Sequence, residues 1–403
     1  MKRILIYIGH PAQYHFFKYS IKKLRDDGNE VRILIKTKDI LEDLLREDGQ
    51  PYHNIQDTVR KNTKWGILIA SLKRTWTVYK EARIFKADLL IGTDSSIAQT
   101  GWLLRKPAIT TLEDDVEIIM NLARLTYPFT TSIIVPTVCR VGKWEKKKIG
   151  YAGYMKLAYL HPNYFKPNKN VVEKYGIDGN YILIRLAKLS AHHDVGIKGL
   201  NKVLVDNIIS CAESRDFKVF ISSETEIEER FRKYQLNIKH TDIHHVMAFA
   251  SLLISDSQSM SVEASILGVP NLRFSDFTGK ISVLEELENV YGLTKGIKTN
   301  EPKRLIDEVE ILLSSDEERS AFKVRRQCML HDKIDVTAFL TWFIEDYPSI
   351  VIPNDACASY YSNVSDMVDH MDSKDCIRTL TYYSEFLDTD RTIELFIKKV
   401  TIE

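Results

Sequence analysis

With 403 residues, 44% of them apolar and 28% charged, the chain is neither disordered nor fibrous in composition and is too long for one ordinary core, so two domains are expected. Its 56 basic and 55 acidic residues leave a formal charge of +1, which removes bulk electrostatics as an argument for nucleic-acid binding. No run of about 18 uncharged apolar residues occurs, which argues against a membrane-spanning helix. The five cysteines at 139, 211, 328, 357 and 376 are scattered, without C-x-x-C spacing, and fit reduced thiols in a cytoplasm better than disulfides or a zinc site.

The opening MKRILIYIGHPAQYHFF reads as a first strand rather than a signal peptide, because no small-residue cleavage site follows the short apolar run. Residues 3–8 form that strand, 15–27 a helix and 30–36 a second strand, a β-loop-α-β unit. Helices near 38–48 and 65–86 follow around a polar stretch. Then come strand 88–92, helix 95–104 and strands 107–111 and 131–136. Prolines within YLHPNYFKPNKNVVEKYG mark a connection, and strand YILIRL at 181 starts a second series. It continues as helix 199–214, strand 217–221, helix 225–234, a short helix 244–250, strand 252–255, helix 259–268 and strand 270–274. Such alternation predicts an α/β chain of two Rossmann-like, doubly wound parallel-sheet domains, 1–160 and 161–345, facing each other across a cleft. The charged helical run 302–345 is expected to cross back to the first domain, leaving 346–403 as a helical appendage.

Ligands of open parallel sheets bind outside the carboxyl ends of the strands, so four loops carry the functional weight. The first, Gly9 to His15, follows strand one. Gly9 permits close backbone approach, while His10, Gln13 and His15 offer polar contacts, and a histidine near a helix start is a candidate base; both histidines read equally well as capping and packing residues. The second comprises Asp94 and Glu113, carboxylates after neighbouring strands that could share acid and base work in one cleft. For Asp94 a helix N-cap is the slightly stronger reading.

The third loop, Arg185 to Gly199, supplies Arg185, His193 and Lys198 as candidate diphosphate contacts. Hydrogen bonding by its His-His-Asp cluster is favoured over metal ligation. The fourth loop carries Ser257, Gln258, Ser259 and Met260 at a helix start, with Glu263 one turn in. Backbone N–H groups there suit phosphate oxygens, and Glu263 suits ribose hydroxyls. Capping by Ser257 or Ser259 is the plain alternative, but Glu263 does not stand at the capping-box spacing from Ser259 or Ser261.

HPAQYHFFK, YAGYMKLAYLHPNYFKP, HHDVGIKGL and above all SDSQSMSVEASILGVPNLRFSDF resemble an uncharacterised prokaryotic GT-B-like family, a domain of unknown function similar to sugar-nucleotide glycosyltransferases and UDP-N-acetylglucosamine 2-epimerases. The resemblance covers roughly residues 1–340. It implies a donor nucleotide in the C-terminal half, with Ser257 to Glu263 at its phosphates and ribose, and an acceptor facing the N-terminal loops. In the lipid-linked murein N-acetylglucosaminyltransferase the loop after the first strand carries a histidine, to which His15 is the nearest match. The epimerases place acidic residues where Asp94 and Glu113 stand.

The expected activity is therefore transfer of a sugar from a nucleotide-diphosphate donor to a saccharide or lipid-linked acceptor in surface-polysaccharide or glycoconjugate synthesis, with no metal or cofactor. His15, Asp94 or Glu113 would act as base, and the rivals are a 2-epimerase and a non-catalytic sugar-nucleotide-binding protein. Lys73-Arg74-Thr75-Trp76 and Lys143-Trp144-Glu145-Lys146-Lys147-Lys148 suggest peripheral contact with the inner membrane surface, although solvated helix faces are the favoured reading of such runs. Localisation is expected to be cytoplasmic.

Overall fold

The computed structural model describes residues 1–37, 40–56, 64–186, 199–223 and 226–348. The first lobe is a sheet of seven parallel strands: β1 (Arg3–Ile8), β2 (Glu30–Lys36), β3 (His53–Gln56), β4 (Leu89–Gly92), β5 (Ala108–Thr111), β6 (Ser132–Pro136) and β7 (Lys148–Tyr151), in the order β3-β2-β1-β4-β5-β6-β7. Central β1, RILIYI, is buried from Ile4 to Ile8. That is what a parallel strand covered by helices on both faces requires. Helix α1 (Pro11–Asp26) lies on one face; α3 (Lys64–Phe85) and α4 (Ser95–Leu104), whose Val78, Ala82 and Ile97 join the core of Leu5 and Tyr7, lie on the other. Between them in the chain are α2 (Leu41–Glu47), and after them α5 (Met120–Thr126) and α6 (Leu157–Leu160).

The second lobe is a parallel sheet of β8 (Tyr181–Leu186), β9 (Lys218–Ser223), β10 (Leu252–Ser255), β11 (Asn271–Phe274) and β12 (Lys295–Ile297), ordered β12-β11-β10-β8-β9. Its helices are α7 (Lys169–Glu173), α8 (Lys202–Glu213), α9 (Ile243–Ala248), α10 (Gln258–Leu267), α11 (Ser282–Asn289), α12 (Pro302–Ser314) and α13 (Asp316–Asp332). Gly268 ends α10 in the left-handed region at φ 72°, and a Cβ there would also run into the Arg326 side chain, so glycine is required on two counts.

The last described helix, α14 (Val336–Asp346), returns to the first lobe and packs on α1. Thr337 donates to the Ala158 carbonyl at 2.6 Å, and Lys2 Nζ donates to the Tyr347 carbonyl at 2.6 Å. The expected crossing is therefore present. The expected GT-B-type α/β architecture is the observed fold. Differences lie at the periphery. The polar stretch after residue 48 contains β3, and β7, α5 and β12 were not anticipated; the helix expected at 225–234 is a 3-10 turn at Glu229–Tyr234. Residues 349–403, including nearly all of the expected appendage, lie outside the described residues. No described helix is long and apolar enough to cross a membrane.

Candidate active site between the lobes

Strand order reverses at β1/β4 in the first sheet and at β8/β10 in the second. Crevices at such switch points are where open parallel sheets bind ligands. The loops singled out from sequence follow β1, β4, β5, β8 and β10, so the topology assembles four of these five carboxyl ends at the two crevices, with β5 beside β4.

In the first loop Gly9 N–H donates to Gln13 Oε1 at 2.8 Å, and His10 Nδ1 accepts from Ala12 N–H at 3.2 Å, capping α1. Gln13 and His10 thus shape the loop. His15 stands one turn further along and points toward the second lobe. Its ring is 5.2 Å from that of Tyr159 on α6 and 5.6 Å from that of His244 on α9. Its Nδ1 is closed off from solvent and has no hydrogen-bond partner among the described residues. Burial, then the neighbouring His244 and Lys18, push the His15 imidazole down to about 3, so it is neutral at physiological pH.

Glu263 meets the same cluster from α10. Its Oε1 accepts from the Tyr159 hydroxyl at 2.6 Å and lies 3.4 Å from His244 Nε2, while Oε2 takes no hydrogen bond among the described residues. Burial by itself would raise this carboxyl, but His244, the Tyr159 hydroxyl and Lys156 outweigh it and hold the group at about 2. The result is a fixed carboxylate beside a neutral histidine. Phe165 closes one side, with its ring 6.1 Å from His244.

Around the start of α10, Ser257 caps the helix, its Oγ accepting from Met260 N–H at 3.5 Å, while Ser257 N–H donates to Ser255 Oγ at 2.8 Å. Ser259 is exposed on the first turn and Met260 is buried beneath it. The Gln258 side chain donates to Ser275 Oγ at 3.0 Å and accepts from the fully buried Arg273 at 3.3 Å. A guanidinium therefore stands behind the helix N-terminus. Arg185, on β8, donates to Ser222 Oγ at 2.7 Å. Leu200 N–H donates to Asp256 Oδ2 at 3.2 Å, which draws the loop after β8 against the loop after β10. His193 and Lys198 lie outside the described residues.

The two first-lobe carboxylates are already engaged. Asp94 caps α4 through Ser96 N–H at 2.9 Å and accepts from Arg74 Nε at 3.1 Å. Glu113, just beyond β5, is buried; it accepts from Met155 N–H at 2.5 Å and forms a close ion pair with Lys156. Burial raises the Glu113 carboxyl, with Lys156 offsetting part of the rise. Lys156 is itself held above its usual range, because Glu113 outweighs the opposing effect of its burial. Asp115, fully buried, receives Ser282 N–H at 2.8 Å, Ser282 Oγ at 2.9 Å and Arg140 N–H at 2.9 Å, and so ties α11 to the first lobe.

The family of unknown function DUF354 matches residues 2–332. The chain belongs to this family. No curated protein matches it. Among solved structures, MnaA of S. aureus with UDP superposes with a TM-score of 0.63 at 13% identity, covering 87% of this chain and 98% of that one. UDP-GlcNAc 2-epimerase of Methanocaldococcus jannaschii, in complex with UDP-GlcNAc and UDP, gives 0.56 at 17% identity, covering 81% and 99%. MurG of Acinetobacter baumannii gives 0.53 at 14% identity, covering 86% and 100%. These likenesses establish for this DUF354 member a GT-B-like fold shared with epimerases and glycosyltransferases.

Tyr159, His244, Lys156 and Arg273 did not stand out from the sequence. Tyr159 and Lys156 sit within YAGYMKLAYLHPNYFKP, which signalled a hinge but no chemistry, and His244 lies in a short helical pattern. Tyr159 and His244 gain a role from the contact of α6 and α9 with α10, Lys156 from its pairing with Glu113 and Arg273 from its bond to Gln258.

Proposed function

We propose that the cleft binds a nucleoside-diphosphate sugar and transfers its sugar to an acceptor hydroxyl. The observation that carries this reading is the His15 Nδ1, buried without a partner among the described residues beside the ionised Glu263. An unmade hydrogen bond of that kind costs about 1–3 kcal/mol, and a ligand hydroxyl that displaces the groups covering the ring would satisfy it.

In this reading the first-turn N–H groups of α10, which a helix leaves without internal partners, meet the diphosphate between Ser257 and Met260, with Arg185 at the adjoining strand end. Glu263 Oε2 accepts from the ribose hydroxyls while Tyr159 and His244 fix Oε1. The acceptor oxygen attacks the anomeric carbon, the bond from that carbon to the diphosphate oxygen breaks, and the acceptor proton passes to neutral His15. The charge of the departing diphosphate raises the imidazole's proton affinity as it develops, and the helix N-terminus stabilises that charge where it appears.

A 2-epimerase reading needs a free carboxylate at C2 of the sugar. Asp94 is committed to Ser96 and Arg74, and Glu113 to Met155 and Lys156, which favours transfer. Incubation with UDP-sugars in deuterium oxide separates the two: no deuterium at C2 is expected, whereas solvent label or an epimeric product would replace the transferase reading by the epimerase one.

A further inference from the structure

The flank of the first lobe formed by α3, α4 and α5 carries no acidic residue over 64–80, 95–112 or 118–131, while Lys73, Arg74, Lys80, Arg105, Lys106 and Arg124 all lie within these stretches. The three helices are stitched side by side. Thr75 Oγ1 on α3 donates to Gln99 Oε1 on α4 at 2.9 Å, and Gln99 Nε2 donates to the Leu125 carbonyl on α5 at 3.2 Å.

Large apolar side chains stand outward around that seam. Leu72 and Trp76 flank Thr75 and are 62% and 57% exposed; Trp102 and Leu103, three and four residues on from Gln99 and hence on its face of the helix, are 61% and 52% exposed; Leu125 is 54% exposed. Trp76 stacks on Tyr79 at 5.4 Å, with Lys80 Nζ 5.5 Å above its ring. A shallow groove continues the patch from Trp102 past Lys106 and Phe129 to Lys147. Two acids border the flank, Asp94 paired with Arg74 at 3.1 Å and Asp88 3.7 Å from Lys106.

We infer that this flank is a docking surface for an anionic phospholipid bilayer. Tryptophan and leucine interleaved with lysine and arginine suit the headgroup boundary, where rings enter the interface and cations face lipid phosphates. Lysine, present here at 73, 80 and 106, is depleted from the cores of protein interfaces. The inference stands independently of the chemistry in the cleft, which lies at the opposite, carboxyl end of the strands from Trp102.

Co-sedimentation of the full chain with phosphatidylcholine vesicles, with and without phosphatidylglycerol, tests it. Binding is expected only to the anionic vesicles, weakening as salt rises. The Lys73→Glu/Arg124→Glu variant should bind at least about thirtyfold more weakly, because each basic residue contributes roughly a fivefold factor near an anionic surface. The Trp76→Ala/Trp102→Ala variant should lose the lipid-induced blue shift of tryptophan fluorescence. All four residues are exposed, so unchanged thermal midpoints would certify the folds. Absence of binding to anionic vesicles would overturn the inference, as would binding unaffected by both variants, or self-association through this flank in sedimentation velocity without lipid.

Discussion

Glu113 and Glu263 are both withdrawn from solvent near the junction of the lobes, yet their partners differ in kind. Glu113 is held on one oxygen by a backbone N–H and on the other by a lysine. Glu263 is held through one oxygen by a tyrosine and a histidine, keeps the other available, and sits beside an imidazole whose Nδ1 has no partner among the described residues. Burial alone does not mark a functional carboxylate. What marks it is burial with hydrogen-bonding capacity left over.

The largest effect that would sharpen this contrast is on stability. Lys156→Met leaves the Glu113 charge buried and uncompensated, and should cost about 3–5 kcal/mol in denaturant unfolding. Adding Glu113→Leu should restore most of it, whereas a loss of under about 1 kcal/mol from Lys156→Met would erase the distinction. By contrast, Glu263→Gln should weaken nucleotide binding roughly ten- to a hundredfold by calorimetry, the range for hydrogen bonds to a charged group, besides losing the stability that the depressed carboxyl contributes above pH 4.5.

Acid titration of stability separates the regions by sign. His15 sits at about 3 against an ordinary 6.5, so the unfolded chain takes up its proton first; the contribution is whole above 6.5 and lost as pH falls toward 3. Glu263, at about 2 against 4.5, contributes fully above 4.5 and loses that contribution below it. The raised Glu113 works the other way, being less unfavourable as acid protonates it. In His15→Asn, the slope of unfolding free energy between pH 6.5 and 3 should flatten, while Glu263→Gln should flatten only the part below 4.5. The smallest effect on nucleotide binding is expected from Tyr159→Phe, which removes one hydrogen bond to the ionised Glu263, worth about 1.5–3 kcal/mol of stability, and should weaken binding only severalfold.

The fold was legible where local pattern and tertiary demand coincide. RILIYI is apolar from Ile4 to Ile8 because β1 is covered on both faces, and α4 begins at its Asp94 cap as expected. Strands β3, β7 and β12 read HNIQ, KIGY and KGI. These are short, polar segments at sheet edges, made into strands by a neighbour's hydrogen bonds and not by their own composition. The site divides in the same way. The loops after the strands were legible from topology, and His15 and Glu263 came with them. Their meeting through Tyr159, which is 104 residues from Glu263, depends on how the lobes pack, and no sequence period encodes that. Asp94 and Glu113 looked alike as acids after strands; Arg74 and Lys156, which occupy them, come from other elements.

The central claim is that the start of α10, with Glu263, holds a nucleoside diphosphate. The thermal midpoint of the full chain against a panel of nucleotide sugars, in parallel with Glu263→Gln, tests it directly. A ligand at about 100 times its dissociation constant stabilises the native state by about 2.7 kcal/mol, so at least one donor should raise the midpoint of the unsubstituted chain by several degrees and that of Glu263→Gln by about half as much or less. Silence across the panel, or the same rise in both proteins, would contradict the account.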